Sequence, residues 1–393
     1  MIDAGWLDAV LHAATGAANP GARVPGVVAM AADRDGIVYQ GAAGRRRLDA
    51  DAPMTLDTVF MIASMTKAVT ATAAMQLVEQ GRLSLDGPLH AHAPYLAEVP
   101  VLAGFEADGT PRLRPREGDI TLRHLLTHTA GFVYDTWNAD MARFASATGL
   151  LSPRTGKRAS LEAPLAFDPG ARWEYGINID WAGRVVEAVS GQDLESYFRD
   201  HIFAPLGMRD TAYLLPADRD PRRASVHARE ADGGLRPTDA RPNPAPEFFP
   251  GGGGLSSTAP DYMRFLRALM AGGTLDGATI LRPETVALMA RNHIGDLDVG
   301  GMRSFVPASS NDVEFFPGMK KKWGLSFLIN TEDAPGGGRS AGSLAWAGLM
   351  NTYYWLDPKR QVCGVVMTQV LPFGDHAVLD TLTAFERAVY AAL

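Results

Sequence analysis

Strand-forming segments lie at the two ends of this chain, and helix-forming segments fill its middle. Near the start, Val24 to Ala32 (VPGVVAMAA) and Ile37 to Ala42 (IVYQGA) flank the polar turn Asp33-Arg34-Asp35-Gly36, which predicts a hairpin. Near the end, Trp323 to Asn330, Leu344 to Trp346, Thr352 to Leu356 and Gln361 to Val370 alternate or run apolar. Short turns link the last three, so they are expected to be antiparallel. A lone hairpin is marginal in water, so both ends are predicted to share one sheet.

Helical signals separate them. They cover Leu7, Val10 and Leu11, then Leu122 to His128, Asn178 to Val189 before Gly191, and Leu194 to Phe203. Thr258 to Ala271 ends at Gly272-Gly273, and Asp380 to Leu393 closes the chain. Gly207 to Gly254 reads as a long irregular excursion. The expected fold is α/β (α+β): an antiparallel sheet from both chain ends, flanked by helices, plus a mostly helical second lobe. The expected domains are 1–83 with 255–393, and 84–254, with the site in the cleft between them.

Composition narrows the function. Of 393 residues, 46% are hydrophobic and 21% charged, enough apolar content for a sizeable core. Net charge is −7, and no basic run is long enough to suggest a nucleic-acid surface, Lys320-Lys321-Lys322 being short, so no nucleic-acid partner is expected. The single Cys363 excludes an internal disulfide and reads as a core residue. No basic segment precedes an apolar one at the N-terminus, and no apolar stretch approaches about 18 residues. A cytoplasmic protein without a membrane span is expected.

Ser64-Met65-Thr66-Lys67 opens the apolar run Ala68 to Val78 (AVTATAAMQLV). Residues three apart are neighbours on a helix, so the lysine amine reaches the serine hydroxyl. A Ser-Lys pair is a known form of activated nucleophile. The chain has six lysines, and none of the other five has a serine three places before it. A helix apolar all round is buried, and desolvation there favours the neutral amine that a base requires. The alternative is that Ser64 caps the helix and Lys67 reaches outward.

Tyr175 follows Trp173-Glu174 at a helix start, where it would face the Ser64 helix. A lysine ammonium nearby favours its phenolate; otherwise it packs at a core edge. Trp346-Ala347-Gly348-Leu349 lies on a late strand, where small residues let a substrate approach closely. The N–H groups of Ser64 and Leu349 are candidates for an oxyanion pair. Rival chemistries fit less well. Gly338-Arg339-Ser340-Ala341-Gly342 matches G-x-S-x-G but lacks the strand before and helix after that a nucleophile elbow needs. His124 and His128 have i,i+4 spacing without the glutamate of H-E-x-x-H, since Leu125 stands there. Gly251 to Gly254 does not link a strand to a helix as a dinucleotide loop must.

The ordered set Ser64-x-x-Lys67, His124-Leu-Leu-Thr-His-Thr-Ala-Gly131, Trp173-Glu174-Tyr175, Gly252-Gly-Gly-Leu-Ser-Ser257 and Trp346-Ala-Gly348 resembles the serine β-lactamase-related family. That family includes class C β-lactamases, D-Ala-D-Ala carboxypeptidases and family VIII carboxylesterases. The match from about Pro25 onward is nearest to the esterases and the fungal lovastatin acyltransferase. The resemblance implies Ser64 as nucleophile, Lys67 as the residue that helps take its proton and holds the site's charge, and Tyr175 as general base and acid. It also implies Ser64 and Leu349 N–H as the oxyanion hole. His124 to Gly131 would be a structural turn. Two departures matter. Trp346 replaces the lysine of Lys-Thr-Gly, removing a charged hydrogen bond worth about 1.5–3 kcal/mol. Asn178 falls one place later than in the family's Tyr-x-Asn. Both favour neutral, apolar esters over β-lactams.

The expected function is a serine carboxylesterase for small or medium apolar esters, without metal or cofactor and with weak or no β-lactamase activity. Acyltransfer from the same acyl-enzyme is the alternative, followed by amide hydrolysis of the β-lactamase or D-aminopeptidase kind. A binding protein on the same scaffold is disfavoured by the joint presence of Ser64, Lys67 and Tyr175. Trp346, Ala347, Gly348, Phe132, Tyr134 and Asn178 are expected to contact substrate. Aromatic residues in 132–151, 207–249 and 302–322, including Trp137, Phe248, Phe249, Phe305, Phe315 and Phe316, are expected at the rim. Two serines therefore compete as nucleophile. Ser64→Ala is expected to abolish turnover of p-nitrophenyl acetate and butyrate while Ser340→Ala retains it; the reverse result assigns the elbow motif.

Overall fold

A computed structural model describes residues 4–393. Strands β1 (Gly26–Asp33) and β2 (Ile37–Arg47) form the expected hairpin. Asp33 Oδ1 closes its turn by accepting the N–H groups of Asp35 at 2.8 Å and Gly36 at 3.0 Å. A short β3 (Ala52–Pro53) follows. The late strands are β4 (Lys321–Trp323), β5 (Leu328–Asn330), β6 (Leu344–Gly348), β7 (Thr352–Asp357) and β8 (Val362–Met367). Their order is β4-β5-β6-β7-β8-β1-β2-β3, with each neighbouring pair antiparallel. The chain ends meet at β1 and β8, in a register from Val28 opposite Met367 to Asp33 opposite Val362.

Both faces of this sheet are covered, so its central strands are buried along their whole length. Helices α1 (Ala4–Gly16) and α6 (His376–Ala392) pack together on one face. Helix α5 (Ala259–Met270) lies on the other. Adjacent β7 side chains report the two sides: Trp355 meets Phe385 of α6, while Tyr354 meets Tyr262 of α5. Cys363 is buried against Met263 of α5, and burial pushes its thiol up to about 12. Helix α2 (Thr66–Glu79) is buried from Thr66 to Leu77 and packs on α4 (Asn178–Ser190). Gly251 permits that crossing, because a Cβ there would lie 2.5 Å from Ile179 O and 3.1 Å from Gly183 Cα. Helix α3 (Leu122–Leu126) also packs on α4. Among the described residues, no helix is long and apolar enough to cross a membrane.

Three expectations need correction. Trp323 to Asn330 is a hairpin rather than one strand: β4 turns into β5 through Gly324–Phe327, with Ser326 at φ 77. The turn stays apolar because Leu325 and Phe327 are buried, so it carries no polar signature. The mostly helical middle also carries a small ribbon, Val101–Phe105 paired with Pro111–Arg114. Within 207–254, His227–Arg229 pairs with Leu235–Pro237 and runs parallel to Val370–Leu371. These small ribbons are only partly buried and lack clear alternation. The last helix begins at His376 rather than Asp380, capped by Asp375, whose Oδ1 accepts Val378 N–H at 3.2 Å.

The Gly338–Gly342 motif lies in a loop between β5 and β6. Ser340 N–H donates to Asp357 Oδ2 at 2.8 Å. Arg339 pairs with Glu386 of α6, the two side chains being 6% and 8% exposed. Breaking such a pair strands a buried charge and costs about 3–5 kcal/mol. Glu386→Ala is expected to lower unfolding stability by that amount in urea, with turnover by the remaining folded enzyme unchanged.

Candidate active site

Ser64 is held by its approach. Phe60–Met61 pairs with Ser256–Ser257. The Gln369 amide then clamps Met61, accepting its N–H and donating to its carbonyl, each at 3.1 Å. Ile62 N–H donates to Leu255 O at 3.0 Å. Ala63 next takes φ 44, a left-handed conformation costly for a residue with a Cβ. This bend feeds a 3-10 turn, Ala63–Met65, so Ser64 precedes α2 rather than lying within it. Tyr262 fixes the turn by donating to Met65 O at 2.9 Å.

Lys67 points inward and is fully buried, so it does not reach outward to solvent. Its Nζ donates to Ser64 Oγ at 3.1 Å, Tyr134 OH at 3.2 Å and Gly252 O at 2.6 Å. Three acceptors match the three protons of an ammonium. Nζ also lies 4.8 Å from the Tyr175 ring centre and 5.4 Å from that of Tyr134. The glycine run at 251–254 serves this contact. Thr70 Oγ1, one turn along α2, donates to Gly251 O at 2.7 Å. Gly252 N–H donates to Asp180 Oδ1 at 2.8 Å, and a Cβ on Gly252 would lie 2.6 Å from Asp180 Oδ2.

Tyr175 enters from the loop before α4. Its hydroxyl accepts the Trp346 indole N–H at 3.1 Å, with the two rings 4.9 Å apart. Tyr134, Trp137 and His128 surround it at ring distances of 5.2, 5.4 and 4.8 Å. Trp323 packs edge-on against Trp346 at 4.6 Å. Burial and then Lys67 hold His128 well below the usual imidazole range, so its ring is neutral. Its Nδ1 sits 3.0 Å from Asn178 Nδ2, which sets this nitrogen as the acceptor. Burial, then Asp180 and Tyr175, hold the Tyr134 hydroxyl well above the usual phenol range, so it is a neutral phenol.

The structure brings Ser64, Lys67, Tyr175, Tyr134 and Trp346 together. It separates other expected contacts. Phe132 is fully buried and stacks on Trp181 at 6.0 Å, while its carbonyl accepts from Asn178 Nδ2 at 2.8 Å. Asn178 is equally buried, and its amide fastens this loop to His128. Both side chains are enclosed by protein, Asn178 between His128 and the Phe132 carbonyl. Ala347 is buried on the sheet face opposite Trp346. Phe248 and Phe249 line a separate cavity of about 580 Å³ with Tyr95 and Trp181, in the helical region. Phe315 does approach the site, against Trp346 at 5.9 Å. His124 caps α3 with Thr121. Among the described residues, no three His, Cys, Asp or Glu side chains group to hold a metal ion.

Gly348 packs so closely on Ile62 O and Thr352 Oγ1 that a Cβ would collide with both. The end of β6 thereby meets the nucleophile turn. Asn351, at φ 60, turns the chain back just after Leu349. Sequence reading missed Asp180 and the contact of Tyr134 with Lys67. For Asp180 a signal existed: a lone acid within the apolar stretch Ile177-Asn178-Ile179-Asp180-Trp181-Ala182.

The β-lactamase family model matches residues 11–388. Monacolin J acid methylbutanoyltransferase of Aspergillus terreus is 36% identical over 385 residues, spanning 94% of this chain and 92% of its own length. Lovastatin esterase of Penicillium rubens is 34% identical over 388 residues, spanning 94% of each. Simvastatin synthase (LovD) of Aspergillus terreus superposes with a TM-score of 0.85 at 34% identity, over 98% of both chains. EstCE1, a hydrolase with promiscuous acyltransferase activity, shares the fold, with a TM-score of 0.75 at 24% identity over 97% of this chain and 99% of its own.

The Trp346 N–H is a directed donor to the Tyr175 oxygen. Trp346→Phe keeps an aromatic ring and removes that donor. It is expected to lower kcat about tenfold, the value of one charge-assisted hydrogen bond, with KM nearly unchanged, in steady-state assays on p-nitrophenyl butyrate.

Proposed function

This chain belongs to the β-lactamase family, and from that premise we propose a serine acyltransferase that passes an acyl group from Ser64 to an alcohol, with hydrolysis as the competing outcome. The observation that carries the serine chemistry is Lys67 Nζ bound to Ser64 Oγ beneath a Tyr175 whose oxygen receives the Trp346 N–H. Sequence reading ranked ester hydrolysis first. The methylbutanoyltransferase and simvastatin synthase relatives support transfer instead, and the lovastatin esterase relative supports a shared acyl-enzyme. Trp346 in place of a lysine supports a neutral, apolar substrate. An aromatic wall of Tyr134, Trp137, Tyr175 and Phe315 supports capture by an apolar alcohol over water.

The steps follow from the proposed roles. Tyr175, as phenolate, takes the Ser64 proton as Oγ attacks the ester carbonyl. The N–H groups of Ser64 and Leu349 hold the oxyanion. Tyr175 returns the proton to the leaving alcohol. The acyl-enzyme then meets an acceptor alcohol, which Tyr175 deprotonates, and the second tetrahedral intermediate collapses to the new ester as Tyr175 passes that proton to the departing Ser64 Oγ, restoring the serine and the phenolate. Lys67 stays an ammonium throughout, favouring the phenolate and orienting Oγ. Tyr134 stays a neutral phenol. The roles divide between the proposed lobes: residues 1–83 and 255–393 carry Ser64, Lys67 and Trp346, and 84–254 carries Tyr134 and Tyr175. No cofactor is used, and a cytoplasmic setting is proposed.

Product partition tests the reading. Incubation with p-nitrophenyl butyrate and a graded series of apolar alcohols is expected to yield butyrate ester in excess of butyric acid. Butyric acid as sole product at every alcohol concentration returns the enzyme to plain hydrolysis. Tyr175→Phe is expected to lower turnover about 100- to 10,000-fold, the range of general acid–base catalysis, and Tyr134→Phe much less.

A further inference from the structure

Asp180 is a buried acid that the steps above leave without a part. It sits in the first turn of α4, and only 2% of its surface is exposed. Its one hydrogen bond from another segment comes from Gly252 N–H, at 2.8 Å. The carbonyl of that same glycine accepts from Lys67 Nζ at 2.6 Å. One residue of backbone therefore separates a buried carboxylate from a buried ammonium, and no side chain intervenes. The groups facing Lys67 are the Ser64 and Tyr134 hydroxyls, the Tyr175 ring, neutral His128 and Asp180. Asp180 is the only formal negative charge among them. Around Asp180 itself the titratable groups are Lys67, Tyr134 and Tyr213, the last two being phenols raised by burial and by Asp180.

We propose that Asp180 is a positioning residue: the buried counter-charge that keeps Lys67 an ammonium during acyl transfer, acting across Gly252. This rests on the reading of Ser64, Lys67 and Tyr175 given above. An ammonium taken from water is costly unless an opposite charge lies near it. A carboxylate within several ångströms supplies that without occupying the face turned to Ser64. Burial pushes Asp180 up, while Lys67 and the Gly252 N–H oppose that rise. Geometry favours the anion, since the neighbour it bonds is a donor and a protonated carboxyl needs an acceptor. The need for glycine at 252 has the same origin, because any side chain would collide with Asp180 Oδ2.

Asp180→Asn separates charge from shape, since the amide oxygen still accepts Gly252 N–H. The pH dependence of kcat/KM on p-nitrophenyl butyrate is measured for both enzymes. The alkaline limb is expected to move to lower pH by about one unit or more in the variant, the usual effect of removing one nearby opposite charge. At neutral pH, kcat is expected to fall about tenfold or more with KM little changed. An unshifted limb overturns the proposal, leaving Asp180 as a loop fastener. A second measurement is independent of activity. Lys67→Met is expected to lower the thermal midpoint by leaving Asp180 unpaired, and adding Asp180→Asn is expected to restore part of it. A double variant no more stable than Lys67→Met also overturns the proposal. A failed acyl-enzyme reading is distinguishable, since the wild-type protein would then form no fluorophosphonate adduct at Ser64.

Discussion

The Lys67 side chain ends where water does not reach it, and the arrangement around it follows from that. An unsolvated cation must be supplied with acceptors, and three come from three parts of the chain: Ser64, Tyr134 and Gly252. Satisfying them draws the nucleophile turn, the 134 loop and the glycine run onto one point. The all-buried α2 is the other side of the same constraint. It presents Lys67 from a helix buried from Thr66 to Leu77 and packed on α4.

Around this charge the protein builds with rings. Tyr175 is bounded by Tyr134, Trp137, His128 and Trp346, and its oxygen is approached by an indole N–H rather than a second cation. A neutral donor orients the tyrosine without placing another positive charge in a site that already holds one. At this position it offers no charge to a substrate carboxylate. The proposed shift from peptide or β-lactam chemistry towards esters and alcohols is therefore a matter of charge as well as shape. The backbone contributes equally: left-handed Ala63 aims Ser64, and Gly348 lets β6 come against Ile62 O.

Much of this was legible in the residues. The sheet from both chain ends follows from where apolar alternation occurs, and the hairpin turn at Asp33 to Gly36 from its composition. Ser64 with Lys67 is readable because spacing on a helix is periodic. Trp346 is noticeable because a family pattern has lysine there. Other features were hidden for physical reasons. The turn between β4 and β5 is apolar because it is buried, so it mimics strand. Phe132 and Asn178 sit near the site in sequence but face the core, since the direction of a loop side chain depends on what the loop packs against.

What the sequence determined by itself was local and periodic: the strand and helix segments, the serine–lysine spacing, and the absence of a lysine at 346. What only the tertiary structure decided was convergence. Lys67 meets Tyr134 across 67 positions of chain and Gly252 across 185, and Tyr175 meets Trp346 across 171. Such meetings are set by how helices and sheet bury one another, which is a property of the whole packed core. The role of Asp180 belongs to the same class. In the sequence it is one acid in an apolar helix, and only the fold places it one glycine away from the charge it faces.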